Sequence, residues 1–231
     1  MTFRGNEFYE NVRYGLDPHD DSNGFLIEKN YAHNNGTHGI ILSKRCMYNT
    51  IRNNISVNNG LHGIMLHEKS DYNVVEDNTI SGNVSGVALY RSSGNIVQRN
   101  SIKDNRHGVR ANVHSNQNII RNNAISSSKQ YGFYLYDAAN NNQIFSNVLK
   151  NNEIAVYIKS NANQVFQNTL ANNGISVYFL DTASDNIAQG NNIRQSSMYA
   201  IYTKVKGGLE NVLSANSLHR NRKDVEGQEL N

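Results

Sequence analysis

Around the single proline of this 231-residue chain, in YGLDPHDDS (residues 14–22), stand a phenol, three carboxylates and an imidazole. Asp17 and His19 flank Pro18, so an acid and an imidazole are held apart by a rigid residue. These side chains can move protons near neutral pH. Asp-Pro also starts turns by ordinary backbone chemistry. The elements built around the pair decide between the two readings.

Composition narrows the classes. Hydrophobic residues make up 38% of the chain, charged residues 18%, and the net charge is +3, which is too mild for a nucleic-acid binder. Apolar runs are too short to cross a membrane as a helix. The opening MTFRGNEFYENVRYG has no signal-peptide pattern. The one cysteine, Cys46, excludes an internal disulfide, gives no metal-site spacing, and reads as a small buried hydrophobe.

Repeats set the architecture. Asn-φ-φ-x-x-Asn (φ, apolar) recurs as NTIRNN, NVVEDN, NIVQRN, NIIRNN, NQIFSN, NQVFQN, NIAQGN and NVLSAN. The closing residues run from Asn54 to Asn216, and Asn30 and Asn6 extend the series backwards. A second series opens each unit with glycine and alternating apolar residues: YGLDP, HGIIL, HGIML, SGVAL, HGVRA, YGFYL. No stretch has helical periodicity with caps. A period of about 23 residues with roughly three short strands predicts an all-β, right-handed single-stranded parallel β-helix. About nine coils, stacked at about 4.8 Å, make a single domain over 1–231, a rod of about 45 Å. The asparagine column is expected to occupy left-handed turns and to hydrogen-bond along the stack. Scarcity of proline fits strands that donate every N–H to a neighbour.

Alternation sorts the strand after each glycine. Leu16 and Pro18, Ile40 and Leu42, Ile64 and Leu66, Val87 and Leu89 form two inward columns. Asp17 and His19 then face out, with Ile41, Met65, His67, Ala88, Tyr90, Arg110, Tyr134, Tyr136, Tyr157, Lys159, Tyr178 and Tyr202 further along the rod. Such a strip suits an acidic carbohydrate: tyrosine rings pack on sugar C–H faces, and Arg110 and Lys159 supply cations. Pro18 becomes a core-facing spacer that leaves both its neighbours turned to the same ligand.

The motif Tyr-Gly-x-Asp-Pro-His at Tyr14–His19 resembles that of the mannuronan C5-epimerases, β-helix enzymes that convert mannuronate to guluronate within alginate. HGIILSKRC is similar to a segment of the brown-algal branch, and HGVR with the Asn-rich coils to the periplasmic bacterial branch. The resemblance implies catalytic roles for Tyr14, Asp17 and His19. His19 is the base at C5, Tyr14 (or a water it holds) the opposing acid, and Asp17 the group that orients His19. Arg45 or Lys44 neutralises the substrate carboxylate, Arg45 being favoured for its bidentate fork. His38, stacked over Tyr14, joins the catalytic set. His67, Tyr90, Arg110, Tyr134, Tyr136, Tyr157, Lys159 and Tyr178 form the substrate-binding strip, with alginate or polymannuronate as the partner.

The resemblance implies an extracytoplasmic location, periplasmic or secreted. Family members carry several coils ahead of this motif, where this chain has about one. Upstream coils, or a second copy in a homo-oligomer, are therefore expected to cover the N-terminal coil. The chemistry requires no cofactor, and Asp17, Asp20 and Asp21 offer oxygens suited to Ca²⁺. Two other functions stay open: a polysaccharide lyase, which also takes the C5 proton but then expels the C4 oxygen, and a non-catalytic carbohydrate-binding module.

Overall fold

The computed structural model describes residues 1–180, 182–203 and 210–227. Their strands form three parallel sheets of ten strands each, and successive strands of a sheet come from successive turns of the chain. The first sheet starts at Thr2–Arg4, the second at Glu7–Tyr9 and the third at Tyr14–Leu16. This is the expected solenoid of about nine turns, without a helix among the described residues.

Each three-residue strand of the first two sheets turns its middle side chain inward. Ile27, Ile51, Val75 and Val97 stack in one column, and Ile80, Ile102, Ile125 and Leu149 in another. Third-sheet strands reach six residues and contribute two inward columns, Ile40–Ile64–Val87–Val109 and Leu42–Leu66–Leu89–Ala111. Cys46 and Pro18 are buried with them, as the sequence predicts.

The asparagine column is continuous from Asn6 to Asn216. In each step one amide donates to the next: Asn54 Nδ2 to Asn78 Oδ1 at 3.0 Å, Asn78 Nδ2 to Asn100 Oδ1 at 3.0 Å. The backbone N of Asn54 donates to the same Asn78 oxygen, and Asn54 Nδ2 also donates to the Ile27 carbonyl. Every polar atom of the buried amide is thereby satisfied.

One expectation is corrected. The left-handed residue is not the ladder asparagine but the one before it, as at Lys29, Asn53, Asp77, Arg99 and Asn122 (φ 53 to 56°). The corner must throw one side chain outward and aim the next into the coil, so the left-handed residue turns the chain and the asparagine bonds inside. Two further ladders, through Asn35–Asn59–Asn83–Asn105 and Asn49–Asn73–Asn95–Asn118, hold the other corners.

Candidate active site

The outer face of the third sheet carries three rows of side chains. The middle row runs Ile41, Met65, Ala88, Arg110, Tyr134, Tyr157, Tyr178, Tyr202. On one flank lie His19, Ser43, His67, Tyr90 and Asn112. On the other lie Tyr14, His38, His62, Ser85, His107 and Tyr131.

Strict alternation would put His38 on the same side as Ile40, facing the core. Gly39 breaks the alternation. A Cβ there would collide with Ser56 Oγ and the Gly63 carbonyl, so the chain dips inward at glycine and the preceding residue stays outside. The residue before each glycine thus forms a third outer row. Its recurring His-Gly, Ser-Gly and Tyr-Gly pairs were the available signal for His107 and Tyr131, which sequence reasoning missed.

Over the first coils these rows enclose a cleft of about 320 Å³ lined by Arg13, Tyr14, Asp17, His19, His38, Ile41, Ser43, Lys44 and His67. Ile41, Met65 and Ala88 form an apolar floor under it, packed by Tyr14 and Tyr90. The Tyr14 ring lies parallel to His38 with centroids 5.4 Å apart, and His38 stacks on His62 at 4.9 Å. Burial pushes the His38 imidazole down to about 4, with the nearby His67, Arg110 and Arg13 adding to the effect. Burial likewise lowers His67.

Tyr14 and His19 stand on opposite flanks of the middle row. Arg13 Nη2 donates to the Tyr14 oxygen at 2.7 Å, which leaves the phenol O–H free to donate elsewhere. Asp17 Oδ1 is buried, with no partner in the protein.

The expectation that Asp17 orients His19 is corrected: His19 Nδ1 pairs with Asp20 Oδ2 at 2.7 Å. Asp17 takes the middle row beside Ile41, while His19 and Asp20 follow it into the turn. Arg45 is also placed differently. Its guanidinium grips Asp21 through two nitrogens at 2.9 and 2.8 Å, reaches Asp20 at 3.3 Å, and does not line the cleft. The same contact holds the Asp21 carboxyl below its usual range. Of the two candidates it is Lys44 that lines the cleft, which Arg13 lines as well. Because Asp20 and Asp21 meet Arg45 and His19, the three aspartates do not converge. Among the described residues no cluster of three or more His, Cys, Asp or Glu is arranged to hold a metal.

Beyond the cleft, His67 stacks on Tyr90 at 5.0 Å. Tyr134 stacks on Tyr136 at 4.2 Å and on Tyr157 at 5.6 Å, and Tyr157 meets Tyr178 at 4.8 Å. These tyrosines are half-buried against one another, while Lys159 is exposed at the edge. The structure therefore gathers Tyr14, Asp17, His19, His38, Lys44 and His67, brings the Arg110 guanidinium back towards them onto His62, and leaves the tyrosines farther along the same face.

Three parallel sheets closed by internal amide ladders, with a polar cleft on the sheet of longest strands, define a β-solenoid. A family profile described as right handed beta helix region matches residues 1–72 and 20–173, and the chain belongs to that family. No curated protein matches the sequence. Among solved structures the chain is similar to the periplasmic alginate epimerase AlgG, at 24% identity and a TM-score of 0.56, over 94% of this chain and 43% of that one. It is similar to the Azotobacter vinelandii mannuronan C-5 epimerase AlgE6 A-module at 17% identity and a TM-score of 0.65, over 99% of this chain and 61% of that one. DFA-IIIase from Arthrobacter chlorophenolicus A6 matches at 16% identity and a TM-score of 0.57, over 80% and 52%. The chain spans less than half the length of the AlgG structure. At these identities the likeness establishes the fold.

Proposed function

We propose that this β-helix is a polysaccharide C5-epimerase that converts mannuronate to guluronate in an alginate-like polymer outside the cytoplasm. The observation that carries the reading is the placement of Tyr14 and His19 on opposite flanks of one row, with Lys44 in the same cleft. Inversion at carbon requires a proton to leave one face and another to arrive at the other. A sugar lying along the middle row meets one of these groups on each side.

His19, held through Nδ1 by Asp20, takes the C5 proton at Nε2. The electron pair of the C–H bond moves into the carboxylate, whose added charge Lys44 offsets. Tyr14 O–H then delivers a proton to the opposite face, and solvent resets both groups. One proton leaves carbon and one returns, with no change in oxidation level. Asp17, which lines the cleft, takes a hydrogen bond from a sugar hydroxyl. The likeness to two solved structures, an alginate epimerase and a mannuronan epimerase, supports the choice of polymer.

The test is proton NMR of polymannuronate incubated with the protein in deuterated water. Deuterium at C5 together with guluronate signals is the expected result. An unsaturated product absorbing in the ultraviolet would identify a lyase instead, and binding without exchange would identify a carbohydrate-binding module.

A further inference from the structure

Downstream of the cleft the outer face changes character within one coil. The strand Ser85–Tyr90 presents only Ser85 and Ala88 in two of the three rows, leaving a trough between larger neighbours. Arg110, on the next coil, leans back across it and reaches His62, 48 residues earlier, with Nη2 3.0 Å from Nε2.

Arginine can only donate, so His62 accepts at Nε2 and carries its proton on Nδ1. Burial, aided by Arg110, pushes His62 down to about 2, which keeps it neutral. His62 is 5% exposed and Ser85 0%, and neither His62 Nδ1 nor Ser85 Oγ has a partner in the protein. The Nε of Arg110 is likewise buried and unpartnered. Arg4, Arg45, Arg52, Arg91 and Arg99 each meet a carboxylate, whereas among the described residues Arg110 meets none. A braced guanidinium with donors unused, over a polar floor, matches the fork geometry of a carboxylate.

We propose that Arg110, braced on His62 above Ser85, is a second carboxylate-binding subsite for the acidic polymer; this rests on the polyuronate reading above. Arg110 stands three coil steps from Ile41, but its guanidinium, drawn back to His62, lies only one or two steps from the cleft, about 5–10 Å. One coil rise is close to the length of one sugar unit in an extended 1,4-linked chain. The subsite therefore holds a uronate one or two units from the reacting one, and it sets a minimum substrate length.

The experiment is calorimetric titration of the protein with oligomannuronates from dimer to octamer, for the parent, Arg110→Gln and Arg110→Lys. Parent affinity should rise by about tenfold at the length that spans cleft and Arg110. Arg110→Gln should lose that step while binding oligomers too short to reach Arg110 as before, and Arg110→Lys should recover part of it. A parent series with no step, or an Arg110→Gln variant that keeps it, overturns the subsite. If Arg110→Gln does not fold, the Arg110→Lys series decides: a step of parental size overturns the subsite. The readout is binding, so a parent that shows the Arg110 step but exchanges no deuterium refutes the epimerase and keeps the subsite.

Discussion

Arg13 Nη2 donates to Tyr14 Oη at 2.7 Å, and the same guanidinium lies over the Tyr14 ring, 4.8 Å from its centre. The phenol is therefore fixed from two directions, by Arg13 at its oxygen and by His38 against its face. Tyr14→Phe keeps the stacking and removes the proton. It should lower guluronate formation by ~10²–10⁴-fold with little change in melting temperature. Arg13→Ala should lower that rate less, and Arg13→Lys should recover part of it. Guluronate formation in Tyr14→Phe at the parental rate would remove Tyr14 from the mechanism.

His19 and its two neighbouring acids separate by role. His19→Ala should abolish exchange. Asp20→Asn, which weakens the hold on Nδ1, should shift the pH–rate profile and lower kcat with KM nearly unchanged, and Asp20→Glu should restore much of the rate. Asp17→Asn should instead raise KM, because Asp17 lines the cleft while the imidazole pairs with Asp20. Steady-state kinetics against pH distinguishes the three.

Lys44 and Arg45 are adjacent, yet they answer to different partners. Lys44→Ala should lower kcat and raise KM together, since it removes charge neutralisation in both the bound and transition states. Arg45→Ala should act only through Asp20, producing a smaller loss of kcat. Chelation should leave the rate unchanged, because Asp20 and Asp21 are engaged by Arg45 and His19. A larger loss in Arg45→Ala than in Lys44→Ala would reverse the assignment.

Stability should depend on pH through the buried imidazoles. His38 and His107 are pushed from 6.5 to about 4 and His62 to about 2, chiefly by burial. The unfolded chain therefore binds protons below pH 6.5 that the fold refuses. The contribution is fully present above 6.5 and is lost as pH falls from there towards 4. Melting curves should show a falling midpoint across that window and no dependence on these groups above it. A midpoint constant from 6.5 to 4 would contradict the assigned burial.

The first asparagine ladder makes a stability prediction independent of function. Asn100 Oδ1 accepts from the Asn78 backbone N and side chain, and Asn100 Nδ2 donates to Val75 O and Asn123 Oδ1. Asn100→Ala strands buried groups on both neighbouring coils, each costing about 1–3 kcal/mol. Urea unfolding should show a loss of several-fold that size over an exposed control such as Lys103→Ala.

The solenoid was legible because its signals are periodic: one asparagine and one glycine per coil, with apolar residues between. The rows carrying Asp17, Tyr134 and Tyr157 followed from simple alternation. The stacking of His38 over Tyr14 was read from coil register, but its place on the outer face did not follow from alternation, because Gly39 interrupts the alternation through a backbone approach that a single sequence does not display. The Asp20–His19 pair and the turning of Arg45 onto Asp21 were hidden for another reason. They depend on how a turn aims its side chains, which residue spacing leaves undetermined. Asp71, Glu76 and Asp77 find their partners in the same cross-coil manner.

Between the first and second sheets every corner is two residues long, from Gly5–Asn6 to Ala215–Asn216, while the coil repeat along the ladder varies from 21 to 25. The other two corners absorb the variation. Such a molecule changes size in quanta. A single residue added at the invariant corner would throw the amide out of its column, whereas a whole duplicated turn adds one rung and leaves its neighbours as they were. Evolution, or an engineer, can therefore lengthen the molecule as one extends a ruler, in whole divisions and without rebuilding the end that carries Tyr14 and His19.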